Sequence, residues 1–573
     1  MNLLLIAVLR TGHLTVATQE CCHPCSRPVD SPAMKLWKQG YLIAVVMTAV
    51  LGGFGCKEEP HSCCASKRAK AVADPTDPAT LRVAMFEAKS IDPGKIYEGM
   101  GRRVGEDLFE GLLTRSASGK SIPGAASSWT ESSDHLTYTF QIRPDLVWSD
   151  GVAITARDFE WSMRRALAPE TGNRRASLLY PILNAAAYNK GTIGDVAKVG
   201  VHATASHVLA ITLERPYPLL PQLLTGIESA PAPKHVIEEH GDQWTRPEHI
   251  VSNGPYLLSS HRAGQDMVLT RNPRYWDVAH VRLDRVRLRF TTQSKIAHDW
   301  YRLNEVDLIF DLVPTEVLKE KGPNREAGLR IDTYDGVFYL LVNTTSAPLN
   351  DPVVRRAIAL SIDRTRLTRQ ILGSGEVPAT TFVPPGMTSA RPARRVQYDP
   401  EGAKALLAEA GYGSAKPLPS VTLSFNTNPR NRMVAEFLQR HFKEHLGLTL
   451  NVENMEWKTY LDRINAKEYQ LGHLVIGGGI DPMEYFTLLE GDSTENRSGW
   501  KHGEFDTLTQ KARTATSLEE RDQHITKAMA IADQQMPIIP VWVLTRKALV
   551  RPGLVGYVQS PENLHPLRWL HWE

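Results

Sequence analysis

Apolar residues recur at two different spacings along this chain. Over Leu81-Arg-Val-Ala-Met85 and Leu136-Thr-Tyr-Thr-Phe-Gln-Ile-Arg143 they fall at every second position, which predicts half-buried strands and puts Leu136, Tyr138, Phe140 and Ile142 on one face. Elsewhere the spacing is helical, and each run begins with a capping signal. Thr155-Ala-Arg-Asp158 reads as a capping box, with Asp in place of the usual Glu, ahead of Phe159, Met163 and Leu167. Asn350-Asp351-Pro352 opens a helix that buries Val354, Ile358 and Ile362. Asp399-Pro400 opens another, which stops at Gly411, a residue suited to a left-handed terminus. Trp148-Ser-Asp-Gly151 is a turn. Neither class of element dominates and no internal repeat is visible, so the expected fold is α/β, with mixed sheets in more than one lobe.

The first residues have a different pattern. Met34-Lys35-Leu36-Trp37-Lys38 is basic, and Tyr41 to Phe54 is a continuous apolar run. At 1.5 Å per residue the run is too short to span a bilayer. It ends at Gly53-Phe54-Gly55-Cys56, which reads as a lipoprotein signal with lipid on Cys56, although Gly53 stands where a Leu is usual. Residues 1–55 are therefore expected to be leader and signal peptide. Residues 56–78, polar and rich in Ala and Pro, are expected to form a flexible tether. The six cysteines are Cys21, Cys22, Cys25, Cys56, Cys63 and Cys64, so none falls in the folded body. That suits an oxidising compartment.

Composition narrows the function. With 66 Lys+Arg against 63 Asp+Glu, a net charge of +3 and no basic run, nucleic acid is not an expected partner. The 42% hydrophobic content, with 14 Phe, 12 Trp and 17 Tyr, excludes a disordered chain. Gly119-Lys-Ser121 lacks the earlier glycine of a phosphate loop, so ATP hydrolysis would belong to a partner. His441-Phe-Lys-Glu-His445 matches HxxEH on a predicted helix, and carries the alternative of a zinc metallopeptidase, but no third ligand accompanies it. No metal, cofactor or catalytic residue is expected.

Several blocks then occur in a fixed order. Asp107-Leu-Phe-Glu-Gly-Leu-Leu113, Pro123-Gly-Ala-Ala-Ser-Ser-Trp129 and Leu136–Arg143 run into Val147-Trp-Ser-Asp-Gly151 and Thr155-Ala-Arg-Asp-Phe159. Val251-Ser-Asn-Gly-Pro-Tyr256, Arg271-Asn-Pro-Arg-Tyr-Trp276, Glu456-Trp-Lys-Thr-Tyr460 and Met536-Pro-Ile-Ile-Pro-Val541 follow. Together they resemble the oligopeptide-binding proteins of bacterial ABC importers, extracellular solute-binding protein family 5, from about residue 80 to 560. The resemblance implies a two-lobed, hinged, type II periplasmic-binding-protein fold with an additional inserted domain. Lobe I would comprise 79–109, 234–335 and 545–573, the inserted domain 110–233, and lobe II 336–544.

A carrier of varied peptides must hold what all peptides share: backbone amides, one ammonium and one carboxylate. The resemblance maps the ammonium-binding Asp to Asp481, in Ile476-Gly-Gly-Gly-Ile-Asp481-Pro-Met-Glu484. An Asp before Pro is also an ordinary helix cap, and both readings stand. Gly478 and Gly479 would allow a ligand to approach the backbone. Relatives often carry a Trp and a Cys in this loop, and the position of the partner Cys is Gly336 here. Asn253 matches a position near the ligand, or serves only as a turn residue. Arg432, Arg463 and His473 lie near positions that capture peptide C-termini, as does Arg430, and Arg175 replaces an aromatic pocket residue. The expected protein is a non-enzymatic, monomeric lipoprotein of the periplasm or cell envelope that carries peptides to a membrane permease. The same-fold alternative is a binder of a dipeptide, cell-wall peptide, sugar or metal chelate.

Overall fold

The computed structural model describes residues 79–116, 119–320, 325–385, 387, 396–477, 479–558, 560 and 562–573. Cys56, the signal, the tether and Gly478 lie outside them. Among the described residues no helix is long and apolar enough to cross a membrane.

One 11-stranded mixed sheet runs through the body. Its strands are β1 (Thr80–Met85), β2 (Tyr256–Arg262), β3 (Asp266–Arg271), β4 (Arg285–Phe290), β5 (Leu308–Phe310), β6 (Leu329–Val342), β7 (Val421–Asn426), β8 (Leu450–Met455), β9 (Leu471–Gly477) and β10 (Ile538–Val550). They lie in the order β8-β7-β9-β6-β10-β5-β1-β4-β3-β2, and the short strand Val377–Pro378 pairs with β10.

β6 and β10 are antiparallel and long, and each contributes to a different core at its two ends. Phe338, Leu340 and Val342 enter one cluster with Ile539, Val541 and Trp542. Val337, Tyr339 and Leu341 enter a second, on the opposite face, with Ile538 and Val543. This is the period-two alternation of a strand buried on both sides. At the other end, Leu329 and Leu549 pack with Tyr301, Val306 and Ile309, while Ala548 and Val550 join the largest core. Residues 334–336 and 545–547 belong to none of these cores. The pairing slips at the same place: Thr333 faces Thr545 and Val337 faces Val543, so β6 bulges by two residues. Two lobes joined through two strands, with no core under the bulge, make a hinge.

Segment 110–233 holds a separate antiparallel sheet, ordered Ala126–Glu131, Thr137–Ile142, Val208–Thr212, Val201–Ala205. Tyr138, Phe140 and Ile142 are buried on one face, as the alternation predicts. Helix Ala156–Leu167 carries both halves of the capping box and buries Phe159, Met163 and Leu167. Its side chains and those of β1 to β4 form one continuous core, so this segment packs as part of the first lobe. The later capping signals also hold: Asp351 caps Pro352–Leu360, and the helix Pro400–Glu409 is followed by Gly411 at φ +80°.

Candidate functional site at the lobe junction

The loop after β9 reaches across the junction. Ile480 packs against the core of the first lobe, and Tyr217, from segment 110–233, donates its hydroxyl to Asp481 Oδ2 at 3.2 Å. The other Asp481 oxygen is doubly engaged. It accepts the Met483 backbone N–H at 2.8 Å, ahead of the short helix Met483–Thr487, and the Arg521 guanidinium at 2.5 Å. Arg521 comes from helix Leu518–Gln535, and its side chain is only 4% exposed. Asp481 is thus both a cap and one half of a buried ion pair.

Two neighbouring carboxylates have no such partner. Asp335 sits in the β6 bulge, 5% exposed, and no hydrogen bond or ion pair reaches its side chain from the described residues. Burial, and then the negative charges of Glu562 and Glu484, push its carboxyl up to about 7. Glu484 is exposed at the surface of helix Met483–Thr487. Desolvation of its carboxyl by neighbouring protein, followed by the charge of Asp481, raises it to about 7 as well, against the pull of Arg175. Its carboxylate lies where a side chain at position 479 would project, so a larger residue there would require Glu484 to swing aside.

Further charges gather on the first-lobe side. Arg175 binds Glu228 at 2.7 Å, and Glu228 faces Arg102. Arg102 reaches Glu562 at 3.3 Å, and Arg115 reaches the same carboxylate at 2.8 Å and Glu106 at 3.4 Å. The charges of Glu562 and Glu484 act on Asp335, and that of Arg175 on Glu484. Arg115 lies closer to Glu562 than to Glu106, so Glu562 is held by two guanidinium groups, whereas Asp335 and Glu484 form no ion pair among the described residues.

The remaining candidates lie elsewhere. Asn253 is buried and pairs with the backbone of Glu110 at both ends, taking its N–H at 3.1 Å and donating to its carbonyl at 2.9 Å. His473 is buried on β9 between Phe338 and Tyr460, with ring centroids 4.9 and 5.5 Å away, and burial lowers its pKa to about 4. Arg463 pairs with Glu453 at 2.5 Å on the surface, and Arg432 is exposed on helix Pro429–Leu446. Arg430 binds Glu376 at 2.5 Å and lies 5.0 Å over the Trp542 ring. Arg175 alone of these cations joins the junction. His441 is buried, stacked 4.0 Å from Phe437, and so packs the core beneath its helix. Among the described residues no three His, Cys, Asp or Glu side chains converge as a metal site requires.

Asp335, Glu484 and Tyr217 escape a reading of the sequence alone. A first-turn Glu reads as a favourable helix-dipole residue, and nothing local marks Tyr217. The only signal for Asp335 is a charge beside Gly336 at the head of the apolar run Val337–Val342.

Two lobes, a two-strand hinge and a charged junction define an extracytoplasmic-type solute-binding protein. Residues 120–497 match the family described as bacterial extracellular solute-binding proteins, family 5 middle, and the chain belongs to that family. It is 33% identical over 485 residues to the periplasmic oligopeptide-binding protein OppA of Salmonella typhimurium, covering 82% of this chain and 88% of the relative. It is equally similar, 33% over 484 residues, to the probable deoxycholate-binding periplasmic protein YgiS of Escherichia coli, covering 83% and 90%. Its fold matches the murein tripeptide-binding protein MppA in the unliganded open form, at TM-score 0.81 and 30% identity, over 87% of this chain and 98% of the other. A second structure, of Escherichia coli MppA, gives 0.66 at the same identity, over 86% and 98%.

Proposed function

We propose that this protein captures peptides between its lobes outside the cytoplasm and presents them to an ABC import permease. The observation that carries this reading is the junction itself, where Asp335, in the hinge bulge, and Glu484 are carboxyls without an ion pair among the described residues. A peptide offers the complement, an ammonium at one end and backbone amides along its length. A micromolar ligand needs only about 8 kcal/mol net, within reach of a few charge-assisted hydrogen bonds. Ligand would stabilise the closed form, which the permease would recognise by its differential affinity. Lipid on Cys56 would hold the protein at the membrane, with residues 56–78 as tether and the body acting as a monomer.

The bile-acid ligand in the name of YgiS offers a second chemistry at equal identity. Deoxycholate is an anion, and its carboxylate would meet Asp335 and Glu484 without a free cation beside them, which favours the peptide reading.

Native mass spectrometry of the full-length gene product, purified from the envelope without added ligand, tests this. Heterogeneous adducts that release peptide masses on denaturation are expected. One discrete non-peptide mass would replace the ligand while keeping the fold, and a stoichiometric zinc adduct would revive His441 and His445. An empty protein with no thermal shift from a peptide library would overturn the reading.

A further inference from the structure

We infer that Tyr217 is a clasp between the lobes: one first-lobe side chain, gripped at its hydroxyl by Asp481 and over its ring by Arg521, that restrains the hinge. The inference rests on the two-lobed fold and is independent of which solute is carried.

Three observations carry it. First, the contact crosses the junction. Tyr217 packs against the core of the first lobe. Helix Leu518–Gln535, which carries Arg521, buries Ile525, Ala528 and Met529 in a core of the second lobe, together with Met483. The Tyr217 hydroxyl donates to Asp481 Oδ2 at 3.2 Å, and the Arg521 guanidinium carbon lies 5.9 Å from the centre of the Tyr217 ring. One side chain thus makes a hydrogen bond to a charged acceptor and a cation–π contact, both to the opposite lobe. Ile480 adds an apolar contact beside them, packed against the first-lobe core.

Second, both halves are held stiff. Tyr217 lies between Pro216 and Pro218, whose rings fix their own φ and bias the tyrosine backbone toward extended conformations. Asp481 precedes Pro482, and its other oxygen is taken by the Met483 N–H at 2.8 Å and by Arg521 at 2.5 Å. Arg521 is buried, and among the described residues it forms no other ion pair. Little freedom is lost when hydroxyl and carboxylate meet, so their bond counts for more than one between two loose side chains.

Third, the contact stands where hinge motion would strain it. The loop leaves β9 at Gly477, whose register partner is Gly336, in the hinge segment of β6. Motion at residues 334–336 and 545–547 would carry the loop with the second lobe while Tyr217 travels with the first. Widening the junction has to break the hydroxyl–carboxylate bond and lift the guanidinium off the ring. Burial, and then the charge of Asp481, push the tyrosine hydroxyl well above its ordinary range, so it stays a donor at neutral pH.

Hydrogen–deuterium exchange on the purified full-length gene product, without added solute, tests this. Tyr217→Phe keeps the ring and loses the hydroxyl. Amides of the loop 479–483 and of the hinge segments 334–337 and 544–547 are expected to exchange at least about threefold faster in this variant than in wild type. Strand Thr137–Ile142 and helix Pro429–Leu446, away from the hinge, should keep their wild-type rates. Tyr217→Ala, which also loses the ring contact, is expected to exceed Tyr217→Phe at the hinge; should it fail to fold, Tyr217→Phe decides alone. Faster exchange confined to the loop, with the hinge unchanged, would reduce the contact to local packing and overturn the clasp. Equal acceleration in every segment would show a general loss of stability and overturn it too.

Discussion

Asp481 and Arg521 meet at 2.5 Å across forty residues of sequence, with the guanidinium almost wholly buried. Their pairing ties the start of helix Met483–Thr487 to helix Leu518–Gln535, since one carboxylate oxygen accepts both the Met483 N–H and the Arg521 guanidinium. Removing one partner strands the other. Asp481→Ala is expected to cost about 3–5 kcal/mol, because Arg521 is left charged and buried. The double variant Asp481→Asn with Arg521→Met should cost clearly less than Asp481→Ala alone. Denaturant melts of both proteins check this, and equal losses would show that the pair acts independently.

Asp335 imposes a pH dependence on the empty protein. Its carboxyl rises from the ordinary range near 4 to about 7 in the folded state, through burial and then the charges of Glu562 and Glu484. A carboxyl raised by folding contributes stability in full below its unfolded pKa and loses that contribution as pH climbs through the folded value. The wild type therefore loses it between about pH 4 and pH 7, whereas Asp335→Asn has nothing to ionise. At pH 8 the variant is expected to be more stable than wild type, on the order of 2–4 kcal/mol. The gap should close at pH 4. Melts at both pH values decide it, and a variant less stable at pH 8 would show that Asp335 has a cation partner in solution.

What the sequence discloses depends on whether the cause is local. The strand Thr137–Ile142 has one face in the core and one toward solvent, so its alternation is visible. The caps at Thr155, Asp351 and Asp399 act within three residues. β6 is buried on both faces over Val337–Val342, which erases the alternation, and the central strand of the hinge goes unnoticed. Asp481 is conspicuous in its loop, but its ion-pair partner Arg521 comes from a distant helix. His473 and Arg463 stand near expected binding positions along the chain, yet the fold turns one into the sheet's aromatic stack and the other onto the surface. Distance along the chain says nothing of which face a residue occupies.

Gly336 and Gly477 are direct register partners on β6 and β9, beside the bulge. Their substitution costs should differ. A methyl group at 336 would meet Leu544 Cδ1 at 2.6 Å, the end of a side chain that can turn aside, and the Ile476 carbonyl oxygen less closely, at 3.1 Å. At 477 it would meet the Asp335 carbonyl oxygen at 2.6 Å and Gly336 Cα at 2.8 Å, both backbone. Gly477→Ala is therefore expected to destabilise by about 1–3 kcal/mol, and Gly336→Ala by less than about 1 kcal/mol. Equal costs in thermal denaturation would mean that β9 can shift away from β6 at this point.

Asn253 has a structural task that a substitution series can separate from ligand contact. Its amide oxygen takes the Glu110 N–H and its nitrogen donates to the Glu110 carbonyl, in a buried setting. Glu110 is itself tied to Arg568 at 2.7 Å and to Trp276 and Tyr275, each at 2.5 Å, so the amide pair anchors the segment on which that network rests. Asn253→Ala leaves a buried N–H and a buried carbonyl unpaired, for an expected loss of about 2–5 kcal/mol. Asn253→Asp has almost the same shape but no donor, and it sets a carboxylate oxygen against a carbonyl oxygen. It should cost at least as much as alanine, where a purely steric role would make aspartate the milder change. Peptide affinity, measured well below either variant's melting temperature, should stay within about threefold of wild type. A large affinity loss without a stability loss would instead return Asn253 to the ligand.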